Sequence, residues 1–211
     1  MSLVKDMQAR YLADHEFLEI LSQNEIGVLA DFLDHREVAD AFWSTYYPKD
    51  LPREVICGLN PGRLGAGLTG VPFTDFFSLS KWLPGIKRND SEASAQFFFQ
   101  VVQAVGVEAF FKRFYVTNVS AVGFLKAGKN LNYHDLPQAA LEVVECNFHE
   151  EMRTVAPTRV IALGRHAYAS VKKNVPTDVE VSYLAHPSWI MTYRRRETDA
   201  WVQRYIDTLM R

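Results

Sequence analysis

Four short apolar or β-branched runs, at about residues 54–59, 114–118, 159–163 and 179–185, alternate with longer stretches of helical periodicity. Val55-Ile56-Cys57 and Val160-Ile161-Ala162-Leu163 carry no polar alternation, so these strands are expected to be buried on both faces. Strands of that kind, each separated from the next by helix, pair in parallel and need helices on either side. The expected fold is therefore α/β: a three-layer α/β/α sandwich with a central four-stranded parallel sheet. At 211 residues the chain fits one domain spanning 1–211, and it shows no internal repeat. In such sheets ligands sit beyond the carboxyl ends of the strands. The residues just after each strand are therefore the first to inspect.

The helical stretches read as follows. Tyr11, Leu12, Phe17, Leu18 and Leu21 recur at helical spacing, and a second amphipathic stretch runs through Val28, Phe32 and Leu33. Pro48 and Pro52 end this region. Residues 75–90 read as irregular, with Asp90 or Ser91 capping a helix at 92–105 that Gly106 stops. Residues 119–136 read as a long loop carrying Gly123, Lys126, Gly128, Lys129 and Asn130. Asp135 is expected to cap a helix that has Pro137 in its first turn and runs to 155. Gly164 opens a short helix, and a loop from His186 leads to a final helix ending near 210.

Three strand-end segments carry polar or aromatic groups suited to a flat heterocycle. Residues 58–73 follow the first strand and hold five glycines and two prolines, so the backbone can come close to a ligand. Asn60 and Phe73 stand near its two ends. Taken alone, this loop fits a structural turn or a phosphate cradle as well as a nucleobase site. It lacks the Gly-Lys-Ser/Thr ending of a P-loop. Asn118 ends the second strand and His186 follows the fourth. Each has an ordinary reading, as a strand-end backbone partner or a loop histidine.

Composition narrows the classes. The formal net charge is −2, which excludes coating nucleic acid by bulk charge but leaves room for a local basic strip. With 14 Phe, 9 Tyr and 4 Trp, rings remain for a site after the core is filled. The two cysteines, Cys57 and Cys146, are expected to be small buried hydrophobes, and two cannot hold a four-cysteine cluster. His134 and Asp135 find no partners to complete a metal set, so no metal is expected. The opening residues are mixed and charged, and no apolar run approaches membrane-spanning length. A cytoplasmic monomer without membrane contact is the expectation.

Gly58-Leu59-Asn60-Pro61-Gly62 with Thr69-Gly70-Val71-Pro72-Phe73 resembles the first motif of the uracil-DNA glycosylase superfamily. The single-strand-selective monofunctional group and its bacterial relatives are most similar. Val116-Thr117-Asn118-Val119-Ser120 resembles the family's base-reading strand end, and Ala185-His186-Pro187-Ser188 its last motif. The three occur in the family's order, each at an expected strand end. The resemblance implies that Asn60 holds the attacking water and that His186 hydrogen-bonds O2 of the leaving uracil. It further implies that Phe73 stacks on the flipped base, that Asn118 reads its edge, and that backbone donors near Leu59 and Gly62 assist. Ser188 would contact a phosphate. DNA, single- or double-stranded, is the implied partner, and the resemblance implies no organic cofactor.

Departures from the pattern are Arg63-Leu64 for Pro-Phe, Ser120-Ala121 for Cys-Pro, and Trp189-Ile190 for Pro-Arg. Ser120 is expected to add a hydroxyl to the pocket, and Arg63 and Gly70 to meet DNA. Ile190, Met191 and Tyr193 read as an apolar wedge in a loop, followed by a clamp of Arg194 and Arg195. Two alternatives remain open from the sequence: a binding protein for DNA or abasic sites that lost catalysis, and a small-molecule nucleoside hydrolase.

Overall fold

The computed structural model describes residues 3–48 and 53–211; Pro52 lies outside them. The strands are β1 (Ile26–Leu29), β2 (Glu54–Gly58), β3 (Phe114–Asn118), β4 (Gly123–Lys126), β5 (Lys129–Leu131), β6 (Arg159–Leu163) and β7 (Glu180–Leu184). β2, β3, β6 and β7 form the expected parallel sheet in the order β3-β2-β6-β7. Every residue of β3 and β6 is buried, as two-sided packing requires.

Helices cover both faces. One layer holds Ala93–Val105, Val107–Arg113, Pro187–Tyr193 and Thr198–Leu209, packed on one another and on β3. The other holds Gln138–Val155 and Arg165–Asn174, with Leu3–Ala13 and His15–Gln23 outside the first of these. Phe97, Phe98, Phe110 and Phe114 fill the space between sheet and first layer, all at 0% exposure.

Several elements differ from the expectation. Val28 is not helical: Ile26–Leu29 is a strand that pairs antiparallel with β4. The expected long loop at 119–136 instead contains the hairpin β4–β5 and a short 3₁₀ turn, Tyr133–Asp135. With β1 these strands make a second, three-stranded sheet. Residues Phe76–Trp82 form a helix, because the Asp75 carboxylate accepts from Ser78 N at 2.8 Å and caps it. Glu92 caps the next helix, in place of Asp90 or Ser91. Pro137, not Asp135, precedes Gln138–Val155, and no side chain caps it. Cys57 is buried as expected, and burial raises its thiol pKa. Cys146 is exposed, because the inward face of its helix is taken by Val144, Phe148 and Met152. Among the described residues no helix is long and apolar enough to cross a membrane.

Candidate active site

The carboxyl ends of the parallel strands open into a cavity of about 1210 Å3. Asn60, Phe73, Asn118 and His186, far apart in sequence, all line it. Leu59 and Gly62 lie on the same wall.

Asn60 is held in a single orientation. Its Oδ1 accepts from Tyr133 N at 3.1 Å, and its Nδ2 donates to Leu131 O at 3.2 Å and Pro61 O at 3.3 Å. A backbone N–H can only donate and a carbonyl only accept, so the amide cannot be flipped. Both Nδ2 protons are engaged. What Asn60 offers the cavity is the second lone pair of Oδ1. Two of the three partners come from the end of β5 and the 3₁₀ turn that follows it, and the third is the neighbouring Pro61. Tyr133 is in turn anchored by a hydroxyl contact with Ser170 on Arg165–Asn174.

Phe73 and Asn118 meet across Gly58. A Cβ there would lie 2.6 Å from Phe73 Cε2, and closer still to Phe73 Cζ and Asn118 Oδ1. Only glycine lets a ring and an amide converge over the end of β2. Phe73 has φ +54°, an uncommon value for an aromatic residue, and its ring rests on Phe98 at 5.2 Å. Asn118 is 3% exposed. The strand beneath it is pinned by Glu151, whose Oε1 accepts from Thr117 Oγ1 and Tyr115 OH, both at 2.7 Å. Burial pushes the Glu151 carboxyl up to about 7. Sequence reading missed Glu151. The clue was an acidic residue in helical register with Val144 and Phe148.

His186 caps the helix Pro187–Tyr193. Its Nδ1 accepts from Ser188 N at 3.1 Å and lies 2.8 Å from Ser188 Oγ. With Nδ1 an acceptor, the neutral ring carries its proton on Nε2. Desolvation lowers the His186 pKa to about 4, so the ring is uncharged at neutral pH. An NMR titration is expected to place its midpoint near 4 rather than the usual 6.5. The unfolded chain takes up this proton first, so His186 stabilises the fold above pH 6.5 and loses that contribution as pH falls toward 4. A midpoint at 6.5 would remove the desolvated-donor assignment.

Sequence comparison adds a family. The model of the uracil DNA glycosylase superfamily matches residues 45–210. The chain belongs to this superfamily. It is 24% identical over 202 residues to the single-strand selective monofunctional uracil-DNA glycosylase of Rattus norvegicus, covering 82% of this chain and 72% of the relative. The Bos taurus protein of the same description is 21% identical over 210 residues, covering 86% and 77%. The crystal structure of wild-type SMUG2 from Pedobacter heparinus superposes with a TM-score of 0.75 at 28% identity, covering 88% of each chain.

Other expected contacts in this superfamily member are placed differently. Ser120 is fully buried, donates to Val122 O at 2.8 Å and does not line the cavity. Gly70 is buried against Phe32 and Ala39, its carbonyl accepting from Gln8, and it does not line the cavity. Ile190 is 0% exposed because the expected loop is the inward face of Pro187–Tyr193, so it cannot serve as a wedge. Met191 is half-buried against the core, whereas Tyr193 is exposed.

Arg194 and Arg195 are exposed but stand outside the cavity. They follow the carboxyl end of Pro187–Tyr193, where the helix dipole favours them, and lead through the short turn Arg195–Glu197 into Thr198–Leu209. Arg63 lines the mouth, its backbone donating to Asn130 Oδ1 and its guanidinium to Gly128 O. Ser188 lies on the wall beside His186. Lys126 and Lys129 are exposed on the hairpin. Among the described residues no group of three or more His, Cys, Asp or Glu is placed to hold a metal ion.

Proposed function

We propose that the protein is a monofunctional glycosylase that hydrolyses the N-glycosidic bond of uracil in DNA, as an opening step of base excision repair. Family membership supports the coarser part, an enzyme acting on N-glycosyl bonds. The observation that carries the finer reading is the opposed polarity of Asn60 and His186. Asn60 turns an acceptor into the cavity, and His186 has a neutral N–H to give.

The reaction passes through an oxocarbenium-like sugar and an anionic base. As the C1′–N1 bond breaks, its electron pair leaves with uracil. The negative charge on O2 needs a fixed donor in a dry site, which His186 Nε2–H supplies. A neutral donor suffices, and a cationic one would cost more to bury. The cationic C1′ then takes water. A water donating to Asn60 Oδ1 points its own lone pair away from the amide, toward the sugar. The proton it sheds goes to the departing base or to solvent. Phe73 stacks on the base and Asn118 reads its edge, with donors and acceptors matched to O4 and N3–H.

The same wall supports monofunctional chemistry. Among the described residues lining the cavity none is a lysine, so no amine is at hand for a covalent sugar intermediate. Charge supports DNA as the partner. Although the chain is net −2, the cavity is lined by Arg63, Arg165, Arg204 and Arg211 against Glu92 and Asp207. Arginines spread along the cavity of a near-neutral protein suit a polyanion that is gripped locally and not by bulk charge.

The deciding experiment is excision from single- and double-stranded oligonucleotides carrying uracil, xanthine or hypoxanthine, read by alkaline strand cleavage. Free deoxyuridine serves as the control. Cleavage at uracil with none of free deoxyuridine is expected. Tight binding without cleavage overturns the enzymatic reading, and turnover of free deoxyuridine overturns the DNA requirement. Asn118→Asp replaces the side-chain donor with a second acceptor. Uracil excision is expected to fall by about tenfold or more, since a buried polar mismatch costs about 1–3 kcal/mol. Unchanged excision would relieve Asn118 of base reading.

A further inference from the structure

The cavity is larger than one base requires. Small-molecule sites occupy roughly 300–1,000 Å3, whereas this one reaches about 1210 Å3 and continues past His186 toward the C-terminal helix. We propose that this far lobe, walled by Tyr183, Trp189, Trp201, Arg204 and Arg211, is a stacking platform for the unpaired nucleotides beside the flipped uracil. The proposal rests on the glycosylase reading and extends it to residues outside the three motifs.

The argument starts from exposure. Tyr183 and Trp189 are 45% and 40% exposed, while the protein's phenylalanines largely fill the core. Large rings left in water in one place mark a contact surface. Here they converge from three elements. Tyr183 comes from β7 at the edge of the parallel sheet, Trp189 from Pro187–Tyr193, and Trp201 from Thr198–Leu209. Trp189 meets Trp201 edge-on, with ring centroids 5.8 Å apart and planes at 80°. That contact supports Trp189 from its edge, while the Arg194 guanidinium lies over the Trp189 ring, 5.8 Å from its centre, and adds a cation beside the stacking surface. The Arg204 guanidinium lies 4.7 Å from the centre of the Trp201 ring.

Rings interleaved with arginines fit the chemistry of single-stranded DNA, whose unpaired bases offer π-faces and whose backbone carries phosphate. A duplex keeps its faces stacked internally and offers only edges and phosphates. Asp207 stands between Arg204 and Arg211, and its carboxylate accepts from Gln203 Nε2 at 2.8 Å, so the lobe is not uniformly cationic. The rings, more than the net charge, select the ligand. Continuity with the base pocket argues for DNA over a protein partner, since a strand with its uracil in the pocket must leave through an opening of this cavity.

The test compares wild type with Tyr183→Ala, Trp189→Ala and Trp189→Phe on uracil in a trinucleotide and in a single strand of about twenty nucleotides. On the long strand, KM is expected to rise about tenfold per lost ring, with kcat unchanged. On the trinucleotide the variants should match wild type, and Trp189→Phe should recover most of the long-strand loss. Uracil-free oligo-dT should quench tryptophan fluorescence in wild type and much less in Trp189→Ala. Wild-type KM on long strands in both alanine variants, with excision intact, overturns the platform. So does an equal rise in KM on fully paired duplex. If wild type excises no uracil, the glycosylase reading has failed instead, and oligo-dT quenching still reports on the platform alone.

Discussion

Asn60→Ala is expected to slow uracil excision by about 10²–10³-fold in kcat, with KM little changed, the loss typical of removing one oriented polar group from a transition state. The side chain does not clamp the base. Its partners are Tyr133 N, Leu131 O and Pro61 O, and only one Oδ1 lone pair is left for water. Binding should therefore survive while water capture fails. Asn60→Asp should not rescue the rate. A carboxylate there would put a second acceptor against Leu131 O and Pro61 O, where the amide now donates. Single-turnover rates on a uracil oligonucleotide, with Kd measured on the same strand, decide the point. A wild-type rate in Asn60→Ala would discard the water-holding role.

Gly58→Ala should be nearly as damaging without touching a reacting group. The added methyl would lie 2.6 Å from Phe73 Cε2 and nearer still to Asn118 Oδ1, so ring and amide must part. Displacing positioning groups by about 1 Å can cost about 10²-fold in rate. Overpacking one methyl in a tight site costs typically about 1–3 kcal/mol of stability. The expected signature is a folded protein with lowered Tm, weakened uracil binding and kcat/KM down by about a hundredfold or more. Loss of folding would show as a missing thermal transition. Near-normal kcat/KM in a folded variant would mean the pocket does not depend on this convergence.

The parallel sheet was legible in the sequence because strands buried on both faces leave uninterrupted apolar runs, and 114–118 and 159–163 match β3 and β6 residue for residue. The placement of Asn60, Asn118 and His186 on one rim was legible because each ends or closely follows such a strand, whereas Phe73, well past β2, was reached through the motif alone. The hairpin was not. β5 is three residues long and largely exposed, so no alternation marks it. Its signal was the turn: Ala127 and Gly128 both take positive φ, 49° and 72°, between the paired Lys126 and Lys129. A two-residue hairpin turn asks for that geometry, and glycine supplies half of it.

The helix after His186 was missed although Pro187 stands at its first position, where proline fits. That omission put Ile190 on the surface. Trp189 was legible only as part of the aromatic run after His186, and its nearness to Tyr183 and Trp201 was not, because it is set by how β7 and the last two helices pack, which spacing along the chain does not encode.

The grip on Asn60 comes from the hairpin and its following turn, whereas the base pocket is built on the ends of the parallel strands. The two units differ in local stability. A three-residue edge strand with exposed side chains opens at much lower cost than a sheet buried on both faces. Fraying there would let the amide swing free while the base pocket stayed intact. On the proposed mechanism the enzyme would then go on holding uracil after losing its means of delivering water. Warming should therefore silence the protein in two stages, turnover first and base capture later, together with the sandwich.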